Sequence, residues 1–190
     1  PRKAFGRAWR KLAVALQNAN GSAAARDSAL EKAARYADRL PDREKFLAIG
    51  AYYTTSRVAA DRGKGLAAYR SAYDADTNSY VAANQLNLIY ASRLQFDSAQ
   101  RYAVRNYQLT PTVTRAMSVA RGLAILNHLP EAAAMVDSVV RASPSAASNP
   151  SILQARRAIF LERGQRDSAA AVTARAASAP VADCPVGGLG

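Results

Sequence analysis

Apolar positions along the chain recur at intervals of three and four, most plainly over 79–111. Leu86, Ile89 and Tyr90 share one face; after a short polar break Ala99, Tyr102, Ala103 and Tyr107 share another, and Pro111 closes the run. This spacing puts side chains on one helical stripe, so the stretch predicts two helices back to back. A lone hairpin of this size cannot bury its stripe. Copies have to stack on one another.

The rest of the chain supplies the copies. A first helix is predicted over 5–18 with Trp9, Leu12, Ala13 and Leu16 inward, followed by a turn at Asn18, Asn20, Gly21 and Ser22, where Asn and Gly tolerate left-handed backbone and Ser caps the next helix. A second, over 23–39, buries Ala29, Leu30, Ala33 and Tyr36. Pro41 and Asp42 start a third, whose Phe46, Ile49, Gly50 and Tyr53 repeat the spacing of the first. A longer turn over 54–63 leads to a fourth at 64–75 with Leu66, Tyr69, Ala72 and Tyr73. Beyond Pro111, helices are predicted over 113–126 (Ala116, Val119, Ala120, Leu123) and 130–142 (Ala132, Val136, Val139, Val140). A Ser/Pro/Ala linker at 143–150 precedes the last two, 151–163 and 166–179, which Gly164 separates. Asp-Ser-Ala recurs at 27–29, 97–99 and 167–169. Each copy is read as the start of a second hairpin helix, with Asp opposite the positive end of the dipole and Ala at a close contact.

These residues resemble the tetratricopeptide repeat (TPR), which wants a large residue, Leu and a small residue, an aromatic, a turn Gly, then Ala, an aromatic, Ala and Pro. Trp9, Leu12, Ala13 and Leu16 match its first helix. Phe46, Ile49, Gly50, Tyr53, Gly65, Tyr69 and Ala72 match the unit apart from a loop insertion and the closing Pro. Leu86, Tyr90, Ala99, Ala103 and Pro111 fit without insertion, as do Val119, Ala120, Leu123, Ala132 and Pro144. In the fifth copy Phe160, Gly164 and Ala169 agree, while Arg157 takes the small-residue position. The resemblance implies an all-α fold, an α-solenoid of about five antiparallel hairpins wound as a right-handed superhelix. It spans 1–180, with repeats at about 5–40, 41–77, 78–111, 112–146 and 149–180 and a tail at 181–190 that resembles the opening of a further repeat. More narrowly, Trp9-Arg10-Lys11-Leu12, Leu40-Pro41-Asp42-Arg43-Glu44 and Gly50-Ala51-Tyr52-Tyr53 look like the repeat region that follows the catalytic domain in some bacterial serine/threonine kinases and related regulators. No kinase motif is present, and phosphoryl transfer is not assigned to this chain.

Composition refines this reading. The chain has 49% hydrophobic residues, mostly Ala, with 10 Gly and 8 Pro, as suits closely packed helices rather than a disordered or fibrous chain. Lys and Arg number 26 against 14 Asp and Glu, a net charge of +12 that favours acidic partners, although a solvated Arg-rich surface accounts for it equally. No run of five or more basic residues occurs, Arg10-Lys11 and Arg156-Arg157 being only pairs, which disfavours nucleic acid. One cysteine, Cys184, excludes an internal disulfide, and one histidine, His128, in a turn, excludes a His-rich metal site. No stretch approaches the ~18 apolar residues of a membrane span. The N-terminus has no signal-peptide pattern, and a chain opening on Pro1 without Met reads as a fragment or processed product, so no compartment is assigned.

No catalytic set emerges. Asp42 and Glu44 suit a helix start better than acid-base work, and the glycine-rich 187–190 follows no strand and has no Lys. No cofactor, metal or enzymatic activity is expected. In TPR-like proteins binding belongs to the concave surface of the first helices. Projected outward from the core stripe, the candidate partner contacts are Arg7, Arg10, Gln17, Glu44, Asn84, Gln85, Met117, Arg121 and Gln154. Amides and Arg can read a peptide backbone or a carboxylate, though any solvated helix face carries such residues. The Lys and Asn arrangement that clamps a terminal carboxylate in some family members is absent. The expected role is a scaffold that captures a protein or peptide, an acidic one if the charge is used. The alternative is a structural subunit that stacks end to end into a homo-oligomer or filament.

Overall fold

Five of the ten helices among the described residues start after a short polar side chain that caps them. In the computed structural model, which describes residues 3–178, the elements are α1 (Lys3–Asn18), α2 (Ala23–Arg35), α3 (Asp42–Thr55), α4 (Arg62–Ala75), α5 (Tyr80–Ser92), α6 (Phe96–Leu109), α7 (Val113–Ile125), α8 (Leu129–Ala142), α9 (Pro150–Glu162) and α10 (Arg166–Ser178). Short 3-10 turns cover Ala37–Arg39 and Pro144–Ser148, so the second predicted helix ends early and the linker is not extended. Ser22, Asp61, Ser79, Thr112 and Asn149 each accept a hydrogen bond from a backbone N–H of the first turn they precede, satisfying donors with no partner inside the helix.

Four of the five hairpins among the described residues are closed by the same backbone bond. The carbonyls of Leu16, Tyr90, Leu123 and Phe160 accept from the N–H five residues on, at Gly21, Gln95, His128 and Gln165, over 2.8 to 3.0 Å. The residue before each donor is left-handed: Asn20 (φ 51), Leu94 (φ 59), Asn127 (φ 63) and Gly164 (φ 70). This is the Schellman closure of a helix C-terminus. In the second hairpin the equivalent carbonyl, Tyr53, is reached by the N–H of Asp61 at 2.9 Å, eight residues on. The three extra residues are the predicted insertion, and the buried Ser56 orders them, its Oγ accepting from Val58 and Ala59 N–H. The five carbonyls define a common register, and Phe160 gives the fifth hairpin the same phase as the others.

The chain divides into two compact units, Pro1–Thr110 and Pro111–Gly190. In the first, α1 pairs with α2, α3 with α4 and α5 with α6, and each second helix packs on the following hairpin. Its largest core cluster joins Leu47, Leu66, Tyr69, Ala72, Ala82, Leu86, Ile89, Tyr90 and Ala99, while Ala33, Ala37, Leu40 and Ala48 form another with Trp9 against it. The Tyr69 ring lies so close to Gly50 that a Cβ there would stand 2.9 Å from it. On the flank of α4 to α6, Tyr90 stacks on Tyr102 and its hydroxyl accepts from Nε (2.7 Å) and Nη2 of Arg70. In the second unit α7 pairs with α8 and α9 with α10, around Ala120, Ala132, Val136, Ile152, Ile159 and Ala169. One contact recurs in both units: the arginine after the first helix donates to the first carbonyl of the preceding hairpin's second helix, Arg93 to Arg62 at 3.3 Å and Arg163 to Leu129 at 3.4 Å.

Three sequence expectations need correcting. Leu12 is not core but 43% exposed, because the inward side of α1 is formed by Gly6, Trp9, Ala13 and Leu16. In α3 Leu47 and Ala48 are the buried pair, with Phe46 packed at their edge. Asp97 and Asp167 lie in first turns, but Asp27 does not, since α2 begins at Ala23; Ala29, Ala99 and Ala169 are all buried nonetheless.

Leu94 is an exposed branched residue in the left-handed region, where the equivalent residues are Asn, Asn and Gly. Leu94→Asn is expected to raise unfolding free energy by about 0.5–1 kcal/mol, read from urea titration. Gly50→Ala is expected to lower it by about 1–3 kcal/mol, because the buried Tyr69 ring has nowhere to move.

Candidate functional site

The closing carbonyls serve as a ruler for the exposed face of each first helix. Nine residues before them, in the first unit, stand Arg7 and Glu44. These meet each other: Arg7 Nε lies 2.6 Å from Glu44 Oε2. Arg43 reaches Glu44 Oε1 at 3.4 Å and Asp76 Oδ2 at 2.8 Å, so a run of alternating charges ties α1, the first turn of α3 and the end of α4. The hydrogen bond from Arg43 holds the Asp76 carboxyl below its ordinary range, helped by the Asn78 N–H, and Asp76 in turn holds the Arg43 guanidinium above its own. Glu44, buried, is an internal partner of Arg7 and Arg43.

Six residues before the carbonyls stand Arg10, Leu47 and Asn84. Arg10 is half-buried, close enough to Tyr69 for its charge to act on the phenol. Burial pushes the Tyr69 phenol up, against the hydrogen bond to Thr54 and the charge of Arg10. Leu47 is core, and Asn84 Oδ1 accepts from the buried Asn106 Nδ2 at 3.0 Å. Gln85 is half-buried and Gln17 exposed. Two residues before the carbonyls stand Val14, Ala51 and Leu88. Val14 is 44% and Leu88 53% exposed, and Ala51 is half-buried. Ala51 packs on the cluster of Ala13, Ala29 and Leu30, so the open positions in this register are Val14 and Leu88, both apolar, with Arg10 one turn ahead of Val14. Sequence reasoning gave Val14, Ala51 and Leu88 no place; the signal was their spacing of 37 residues, the same as that of the closing carbonyls Leu16, Tyr53 and Tyr90.

In the second unit Met117 is fully buried, so it packs in the core and presents nothing to a partner, a correction to its place among the candidate contacts. Arg121, in the register of Val14 and Leu88, is exposed. Gln154 is exposed and borders a groove of about 250 Å³ between α9 and α10, lined by Pro150, Leu153, Arg157, Val172, Thr173 and Ala176. Arg157, at the small-residue position, faces this groove instead of a neighbouring helix. A polar hollow of about 570 Å³ in the first unit lies between α2 and the α3–α4 loop, where Arg57 Nε approaches Asp27 at 3.6 Å. His128 is exposed, 3.7 Å from Glu131. Among the described residues no His, Cys, Asp or Glu cluster could hold a metal ion, and no helix is long and apolar enough to cross a membrane. The residues of the predicted tail, Cys184 among them, lie outside the described ones.

No protein-family model and no curated protein matches the sequence. Among solved structures the chain is similar to MamA AMB-1, with a TM-score of 0.63 at 16% identity over 93% of this chain and 97% of that one. It is similar to MamA MSR-1, with a TM-score of 0.62 at 16% identity over 93% and 95%. It is also similar to YrrB, a TPR protein with an unusual peptide-binding site, with a TM-score of 0.61 at 15% identity over 88% and 82%. The fold is an all-α solenoid of paired helix hairpins of the TPR type.

A carboxyl whose folded pKa is depressed stabilises the fold fully above its unfolded value and loses that contribution as pH falls through the folded one. Asp76 therefore contributes above about pH 4 and fades below it. Thermal melts of Asp76→Asn between pH 5 and pH 3 should fall less steeply than those of the wild type, at the same ionic strength.

Proposed function

We propose that the chain is a non-enzymatic interaction scaffold that receives an extended peptide on the open face of α1, α3 and α5. The observation that carries this is the row of Val14, Ala51 and Leu88, where two large apolar side chains are exposed in matching register on helices of one unit. Scattered exposed hydrophobes are ordinary, and it is the shared register of these two on helices of one unit that supports a recognition surface. Arg10 beside Val14 suits an acidic residue of the peptide, in keeping with the +12 charge. Arg7 and Glu44 are taken up by their mutual bond and are not part of this row. The likeness to YrrB, described by its peptide-binding site, supports the reading. The likeness of Trp9-Arg10-Lys11-Leu12 and Leu40-Pro41-Asp42-Arg43-Glu44 to the repeat region of bacterial kinases and regulators supports a docking role within a signalling protein.

Selection of displayed random peptides on the purified chain should return sequences that pair two spaced apolar residues with an acidic one. Leu88→Arg should weaken a selected peptide at least tenfold in fluorescence polarisation, about 1.4 kcal/mol, with its melting temperature unchanged. Arg7→Ala should change affinity less than twofold. Peptides without a consensus, or binding indifferent to Leu88→Arg, would rule the face out.

A further inference from the structure

Along α1, Phe5, Ala8, Leu12, Ala15 and Ala19 recur at three and four residues, and all five are exposed, Phe5 at 52%. They form a seam on the side of the helix away from Ala13. The register shows what such a seam meets elsewhere. Ala8, Leu12 and Ala15 correspond to Ala82, Leu86 and Ile89 of α5, which are buried in one cluster with Leu66, Tyr69 and Ala72 of α4. They correspond to Ile49 and Tyr52 of α3, which pack on clusters containing Ala33 and Leu30 of α2. In the second unit the equivalents Ile152 and Ile159 of α9 are buried, and α9 packs on α8. This register is where the second helix of the preceding hairpin lies. Among the described residues no such helix lies on α1.

The complementary surface is on α10. It starts at Arg166 as α4 starts at Arg62, so Ala170, Thr173 and Ala176 stand where α4 has Leu66, Tyr69 and Ala72. The α4 residues are buried against the next hairpin, whereas the α10 residues are exposed, and Thr173 and Ala176 line the groove of about 250 Å³. The groove has Ala and Thr where α4 has Leu and Tyr, and the seam has Phe5 where α5, α7 and α9 carry the capping Ser79, Thr112 and Asn149. The seam is bulkier at Phe5 and smaller at Ala15, which stands where α5 has Ile89, and the slot is roomier at Ala170 and Thr173.

We infer that a second copy of this chain seats its α1 seam in the α9–α10 groove, with Phe5 and Leu12 against Thr173 and Ala176. The contact continues the interface made within each unit by consecutive hairpins, such as α4 on α5. Because seam and groove are different surfaces, the association is head to tail and grows unless its rotation closes a ring. It uses neither Val14 nor Leu88, so it stands or falls apart from the peptide-binding face.

The test is sedimentation velocity of the full 190-residue chain from about 1 to 300 μM, the range of a weak interface. The wild type should grow with concentration. Leu12→Glu and Thr173→Arg should each weaken self-association at least tenfold while keeping the circular-dichroism melt. An equimolar mixture of the two should give a dimer that stops growing, since each variant keeps one intact end. A wild type that stays monomeric overturns the inference. Dimers of Thr173→Arg alone, which would mean α1 against α1, overturn it too, as does a mixture of folded variants that stays monomeric. Should Thr173→Arg fail to fold, Ala176→Glu takes its place with the same expectations.

Discussion

The backbone bond that ends each first helix is the constraint from which the rest of the structure follows. A helix terminus leaves carbonyls without partners, and here one of them, on Leu16, Tyr53, Tyr90, Leu123 or Phe160, is always satisfied by the chain turning back. That turn fixes where the second helix starts, and hence which of its residues face the first. Because the phase is set by main chain, side chains at equivalent places are free to differ. The small-residue position holds Ala13, Gly50, Asn87, Ala120 and Arg157 in turn, without loss of the hairpin. Gly50 admits the Tyr69 ring from α4, whereas Arg157 faces a groove whose opposite wall is Thr173 and Ala176.

Much of this was legible in the sequence because it is local. Three-and-four spacing, capping residues and the Asn and Gly of the turns act within a few residues, and they gave the helices, their pairing and the insertion before α4. Less legible was anything that depends on what lies across a gap. Arg7 and Glu44 sit 37 residues apart, and no local pattern announces that they bind each other. Met117 and Arg121 are one turn apart on α7, yet one is core and the other exposed, because the buried arc there is wider than a single stripe. Leu12, Val14 and Leu88 have the chemistry of core residues and differ from them only in having no neighbour. Asp-Ser-Ala misled for a related reason: its 70-residue spacing is regular in sequence, but α2 begins earlier relative to its copy than α6 and α10 do.

The positive charge looks different once its donors are followed. Arg43 and Arg7 are taken up by carboxylates, Arg70 by the hydroxyl of Tyr90, and Arg105 by the Thr77 carbonyl and the Asn78 side chain. Several guanidiniums thus serve as planar multi-donor struts, a task for which lysine lacks the geometry, and those held by neutral oxygens, Arg70 and Arg105, keep their charge.

Arg93 and Arg163 carry that point furthest. Each fastens one hairpin to the one before it by donating to a main-chain oxygen, which has no proton to gain and no counter-ion to exchange. Acid that neutralises Asp76 leaves the acceptor of both bonds unchanged. Within each unit this contact between adjoining hairpins is therefore indifferent to the protonation of a carboxylate, as a joint of opposite charges is not.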